Sequence, residues 1–267
     1  MIPEPTIAAF VISALFTLLL PVILLIVLGI ARKITAIPLF AGVGAFFLSQ
    51  IVLRIPLITV LSAQAWYQEF AKLAPLYVFA LSFSASLFEE SARLGGAALL
   101  KKRRSYKDAV SFGLGHAFCE VVILIGLAHI NNIVFCLLIN SGNEAAMSTL
   151  SADVIQTAKN TLLALNPADV YWGILERFSA VLFHIFMTVL VFRGVREKKA
   201  AFYLLAIGAH TLFNYVGVMC ASYAGIAVSE IAMLALALAA GIYVLKQRES
   251  FSEPPGDVQS TAAPPAL

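Results

Sequence analysis

Charged side chains are what this sequence has least of. Asp, Glu, Lys and Arg make up 12% of its 267 residues, against roughly a quarter in ordinary soluble domains. That scarcity excludes a large solvated surface, and hydrophobic residues, at 61%, stand where charge is missing. Cysteine is scarce too. Cys119, Cys136 and Cys220 are odd in number and all lie in apolar runs, so no disulfide framework follows. No basic stretch precedes the first apolar run, Thr6 to Ala31, which is too long for the apolar region of a signal peptide and is followed by Arg32 and Lys33; it reads as a retained helix. No basic patch is interleaved with aromatics in the manner of a nucleic-acid site, so nucleic acid is not an expected partner. The net charge of +3 reflects loop asymmetry.

What is present is a succession of long apolar runs, and about 20 such residues suffice to cross a bilayer. After the first, further runs lie near 36–53, 74–100, 109–130, 170–192, 200–220 and 224–245, the fourth run of the set extending toward Ile139 as a tilted or broken helix. The fold expected is an all-α polytopic bundle of about seven transmembrane helices, in the lipid bilayer of a bacterial inner membrane. Residues 1–248 read as one transmembrane domain and 249–267, rich in Pro, Ser and Ala, as a disordered cytoplasmic tail. The stretch 54–72, with Arg54, Trp66, Tyr67, Glu69 and Lys72, reads as interfacial. The longest loop, 140–169, holds Glu144, Asp153, Lys159 and Asp169, with a weak amphipathic pattern from Met147 to Leu165.

A bilayer core penalises every ionisable side chain by several kcal/mol, so each one placed there needs a reason. Four of the runs carry such groups: Glu89, Glu90 and Arg93 in the third; His116 and Glu120 in the fourth; Glu176, Arg177 and His184 in the fifth; His210, with Asn214, in the sixth. Counted at about 1.5 Å per residue from the nearest basic loop, Glu89 and Glu90 lie roughly 17–18 Å deep, His116 about 12 Å, Glu120 about 18 Å, His184 roughly 14 Å and His210 roughly 17 Å. Groups from separate helices thus share one level. Glu89 and Arg93, His116 and Glu120, and His210 and Asn214 are each i,i+4 and so share a helix face. Plainer readings apply to the neighbours: Arg93 as an ion-pair partner, Glu176–Arg177 as a structural pair, His129 as interfacial, and Gly113 and Gly115 as small packing residues rather than a nucleotide loop.

The chemistry such a set supports is hydrolysis. Two adjacent carboxylates resist ionising together, which leaves one available as a general base for water. A histidine at that level can orient the water or act as the acid, and a histidine and an asparagine on one face can donate to a developing oxyanion. The ordered set E-E-x-x-R (Glu89, Glu90, Arg93), G-x-G-H-x-x-x-E (Gly113, Gly115, His116, Glu120), E-R followed by a histidine (Glu176, Arg177, His184) and H-x-x-x-N (His210, Asn214) resembles the YhfC family of intramembrane peptidases. That family is similar in motif logic to PrsW-type proteases and to the CAAX- and bacteriocin-processing (CPBP) membrane proteases. The resemblance covers most of the chain, to about residue 245. It implies a glutamic-type intramembrane protease acting on a membrane-embedded or lipid-anchored peptide or protein. In that likeness Glu89 matches the water-activating glutamate, with Glu90 and Arg93 completing its motif; His116 or His184 matches the histidine partnering the water; and His210 with Asn214 matches the oxyanion-stabilising pair. Glu120, Glu176 and Arg177 are supporting residues. Here the arginine follows the second glutamate by three residues, where the CPBP pattern has four.

Two alternatives stand beside this reading. Midplane Glu and His could instead relay protons or bind a cation in a transporter or channel, against which there is no inverted repeat. A structural protein acting through the 140–169 loop would leave the clustered charge without a purpose. On metal, three histidines and a carboxylate at one depth could hold zinc, with His116, His184 and His210 as the ligands. The absence of H-E-x-x-H and the presence of a self-sufficient glutamate pair favour a metal-free site.

Positive charge sets the expected orientation. Arg32, Lys33, Lys101, Lys102, Arg103, Arg104, Lys107, Arg193, Arg196, Lys198, Lys199, Lys246 and Arg248, thirteen of the 18 Lys and Arg, fall on the side reached with the N-terminus outside and the C-terminus inside. Reporter fusions after Lys102 and Lys198 should therefore read cytoplasmic, and one at Asp153 external; a cytoplasmic signal at Asp153 would refute the orientation.

Overall fold

The computed structural model of the chain describes residues 1–142 and 151–251. Glu144, Met147 and the tail from 252 onward lie outside the described residues. All regular structure among the described residues is helical: α1 (Glu4–Ile30), α2 (Ala36–Ser62), α3 (Ala65–Ala71), α4 (Ala74–Leu99), α5 (Tyr106–Ser141), α6 (Ala152–Ala164), α7 (Pro167–Glu197), α8 (Ala201–Ala224) and α9 (Ile226–Lys246). Six of these are long and apolar enough to cross a membrane. α4 supplies a seventh span when taken with α3, from which it turns by 110°. The reason α4 needs that allowance is chemical, since Glu89, Glu90 and Arg93 crowd one stretch of it.

The second span is longer than its apolar run. It passes through Arg54 and ends at Ser62, so the stretch from 54 to 62 continues the second helix without a break. Arg54 is tolerated there because its guanidinium donates to Gln50 Oε1 (3.1 Å), Ser84 Oγ (3.1 Å) and the Leu81 carbonyl (2.9 Å). Phe47–Arg54 is wound as a π-helix just ahead of Pro56, and Val121–Gly126 repeats the device inside α5, directly after Glu120. Such turns re-aim the side chains beside them. Further on, Glu69 and Lys72 form an exposed ion pair and Trp66 is exposed, as an interfacial segment requires.

The basic loops gather at one end of the bundle. Thr35 Oγ1 donates to Asp108 (2.8 Å), which closes a capping box with Ser105 at the start of α5; Arg196 donates to the carbonyls of Arg104 (3.1 Å) and Phe251 (3.2 Å). At the other end Ile2, Cys136, Leu162 and Val170 pack together, which docks α6, the helix within the long loop, against α1 and α5. The turn between α8 and α9 is made by Gly225 at φ 93°, a conformation open to residues without a Cβ.

α7 is the most deeply buried span and touches α1, α4, α5, α8 and α9. Around it, glycines set how near the backbones come. A Cβ on Gly42 or Gly115 would run into the carbonyls of Phe112 and Leu39, so α2 and α5 meet backbone to backbone. A Cβ on Gly113 would come within 2.9 Å of Ile185 Cα, one residue beyond His184 on α7. These small residues hold His116 against both neighbouring helices, as close membrane packing demands. Gly115→Val should lower thermal stability in detergent by about 1–3 kcal/mol or more. Gly95→Val, where nothing lies within 4 Å, should be mild by comparison. Equal melting of the two variants would show that this contact does not set the helix spacing.

Candidate active site

The polar groups of four helices, together with Gln50 of α2, meet at one level inside the bundle. Glu89, Glu90, Arg93, His116, His184 and His210 are all buried, with Glu90, Arg93 and His116 wholly inaccessible. α4 carries the carboxylate pair on successive residues, so the two diverge around the helix and serve different neighbours. Glu89 receives Gln50 Nε2 on Oε1 (2.9 Å); its Oε2 lies 2.9 Å from His116 Nε2, 3.9 Å from His184 Nδ1 and 3.5 Å from Arg93 Nη2. Glu90 Oε1 is paired with Arg93 Nη1 and lies 2.7 Å from His210 Nδ1. Arg93 also donates from Nη2 to His184 Nδ1 (2.5 Å). It is the hub of the cluster.

A second chain of charge runs outward from His184. Its Nε2 is 2.6 Å from Glu120 Oε2; Glu120 Oε1 accepts from Arg177 Nη1 (3.4 Å), and Arg177 is paired with Glu176. The sequence pair Glu176–Arg177 is therefore an ion pair in space, and Glu120 ties it to the cluster. The imidazole rings of His116 and His184 are 5.2 Å apart, and those of His184 and His210 are 5.6 Å apart. Asn214, one turn beyond His210, is half-buried and stands in the wall of an adjoining cavity. His129 lies away from the cluster, its ring against Phe10.

That cavity, about 420 Å³, adjoins the cluster on the side away from the basic loops. Ala85 and Ser82 line it one and two turns before Glu89, Ser179 five residues before His184, and Arg54, Glu176, Ser229 and Glu230 complete the polar part of its wall. Gln50 and Glu230 are the contributors that reading the sequence missed. Both are polar residues in apolar spans and so carried the same signal as the others. Gln50 stood four residues from Arg54, taken as a membrane boundary, and Glu230 stands four residues into α9, where a carboxylate is ordinarily solvated.

Donor atoms of Glu89, His116 and His184 all lie within 4.8 Å of one another. Two imidazole nitrogens and one carboxylate oxygen are the donors that catalytic zinc sites use, with a further position left for water. The far nitrogen of His184 faces Glu120 and the far oxygen of Glu89 faces Gln50, the outer contacts that orient metal ligands. His116 Nδ1 is buried with no hydrogen-bond partner. The residues present therefore fit a divalent ion of zinc's type. The three differ from the all-histidine set that the sequence offers as the alternative to a metal-free site, because His210 turns to Glu90.

The chain matches the YhfC intramembrane metalloprotease family over residues 16–238. It is also 32% identical over 139 residues to an uncharacterized membrane protein, YhfC, of Bacillus subtilis strain 168, a stretch that is 51% of this chain and 54% of that protein. The chain thus spans about half the length of the curated relative it matches. No solved structure matches it. Together with the apolar helices, these similarities establish an integral membrane protein of bacterial type.

The hub makes a quantitative demand on stability. Arg93→Ala strands two buried carboxylates and should cost about 3–5 kcal/mol. Arg93→Ala combined with Glu90→Ala should recover a measurable part of that loss, since the orphaned charge leaves with its partner. Thermal melts of the purified variants in detergent measure both; no recovery in the double variant would mean that Glu90 is not the group Arg93 stabilises.

Proposed function

Because the chain belongs to the YhfC intramembrane metalloprotease family, we propose that it hydrolyses a peptide bond of a membrane-associated substrate at the cluster of Glu89, His116 and His184. The observation that carries this reading is the convergence of those three donors from three helices, buried and backed by Glu120 and Gln50. They would hold zinc, which when bound supplies a water made acidic enough to attack at neutral pH and polarises the carbonyl.

The chain's own groups have distinct tasks. Glu89 is committed on both oxygens, to Gln50 on one side and to His116 and Arg93 on the other. Glu90 is not: its Oε2 is buried without a hydrogen-bond partner, while Oε1 is held by Arg93 and His210. Glu90 is thus the better placed general base, taking the water's proton on Oε2. Glu90 can return that proton from Oε2 to the leaving amine, while His210 on Oε1 holds the carboxylate in place. Glu120 keeps His184 Nδ1 turned toward the cluster. Asn214, in the cavity wall, offers a side-chain amide to a substrate carbonyl.

A metal-free reading with Glu89 as base has one specific observation in its favour. Arg93 Nη2 lies 2.5 Å from His184 Nδ1, so a guanidinium already occupies that nitrogen. Metal content separates the two. The full chain purified in detergent should carry about one zinc, lost with Glu89→Ala, His116→Ala or His184→Ala and retained with Glu90→Gln. Cleavage of a tagged membrane-protein pool should fall by about 10²-fold or more in Glu90→Gln, the scale of a lost general base. Cleavage should also vanish on chelation and return with zinc. Full cleavage by metal-stripped protein would rule out the metal site and leave Glu89 as the base.

A further inference from the structure

The carboxylate of Glu230 has no use in the chemistry above. Only 8% of the residue is exposed, yet its Oε2 has no hydrogen-bond partner and no ion pair within 4 Å is formed among the described residues. It stands in the wall of the 420 Å³ cavity beside Ser229, whose own hydroxyl is spent on the Gly217 carbonyl (2.9 Å). A buried carboxylate oxygen without a partner is costly, and a ligand or substrate that enters the cavity can complete it.

The rest of the wall says what would complete it. Glu176, on α7, is a second carboxylate in the same cavity; its guanidinium partner, Arg177, is shared with Glu120 and acts on Glu230 only from beyond 4 Å, so neither of its ion pairs is spent there. On the opposite side, formed by α2 and α4, Arg54 is held by Gln50, Ser84 and the Leu81 carbonyl, none of them a carboxylate. The cavity is therefore polarised, with a cation on the α2/α4 side and acids on the α7/α9 side. Near the cluster its lining is Ala85 and Ser82, one and two turns from Glu89. A positively charged group entering this space is repelled by Arg54 and drawn to Glu230.

We propose that Glu230, with Glu176 beside it, is a subsite for a lysine or arginine side chain of the substrate, close to the bond that is cut. This rests on the peptidase reading of the adjoining cluster. It also fits the economics of a membrane substrate, whose basic residue would otherwise have to leave the interior for the surface. Asn214 and Arg54 would then meet backbone carbonyls of the same peptide across the cavity.

The test is a binding measurement that needs no turnover. Full-length protein carrying Glu90→Gln is reconstituted in nanodiscs and titrated with two dansyl-labelled apolar peptides that differ only in a central lysine or norleucine. The lysine peptide should bind about tenfold tighter, the scale of one charge-assisted hydrogen bond. Adding Glu230→Gln should abolish that preference, and Glu230→Asp should retain most of it. Equal affinities in the parent, or a lysine preference that survives Glu230→Gln, would overturn the assignment. If Glu230→Gln does not give monodisperse protein, labelling of Glu230 by dicyclohexylcarbodiimide decides the matter by mass spectrometry: the lysine peptide should protect it and the norleucine peptide should not, and equal protection would overturn the subsite. A lysine preference without any cleavage by the unaltered chain would remove the peptidase reading and leave the subsite standing; cleavage without the preference would do the reverse.

Discussion

A guanidinium remains charged at almost any pH, so one buried at the centre of a membrane bundle compels anions and acceptors to gather around it. Arg93 has that position. Two carboxylates from its own helix and an imidazole from α7 surround it, and through them it reaches His116 and His210. The bundle is built to bring those groups to it. α4, too polar to pass for a transmembrane helix alone, is enclosed by α2, α7 and α8, so its charges never face lipid.

Close backbone approach is the second constraint, and it serves the first. Side chains as short as a carboxylate and an imidazole meet across three helices only if the helices nearly touch. Gly42 and Gly115 allow that between α2 and α5, and Gly113 allows it between α5 and α7. The π-helical turns at Phe47–Arg54 and Val121–Gly126 lie beside Gln50 and Glu120, which orient Glu89 and His184 from outside the cluster. The outer contacts are thus as deliberately placed as the groups they hold.

The same packing sets the cluster apart from the cavity beside it. The cluster is closed and densely paired, whereas the cavity beside it is open and carries an unpaired acid on one wall and a guanidinium on the other. A substrate that supplies the missing cation would arrive already aligned with the cluster. The apolar groove between α7, α8 and α9 lies on the far side of Phe213, a residue that also lines the cavity and stacks on Phe183 at 3.8 Å.

Much of this was legible in the residues themselves, because lipid tolerates so few alternatives. A membrane admits ionisable groups only for cause, so depth along each apolar run was enough to assemble Glu89, Glu90, Arg93, His116, Glu120, His184 and His210 at one level. Helical spacing was enough to put Glu89 with Arg93 and to place His116 and Glu120 on one face, where each meets a different partner, and Gly113 and Gly115 serve as packing residues as their context suggests. Partner choice was not legible. That His184 divides its two nitrogens between Arg93 and Glu120, that His210 answers Glu90, and that Glu89 joins His116 and His184 as the possible metal set depend on how each helix is rotated about its axis. Rotation is set by contacts with other helices, which no single run of sequence contains. Arg54 and Glu230 mark the same boundary. Arg54 reads from sequence as interfacial and Glu230 does not stand out, but only the neighbours that tertiary packing brings, three acceptors for the first and none for Oε2 of the second, tell the two apart.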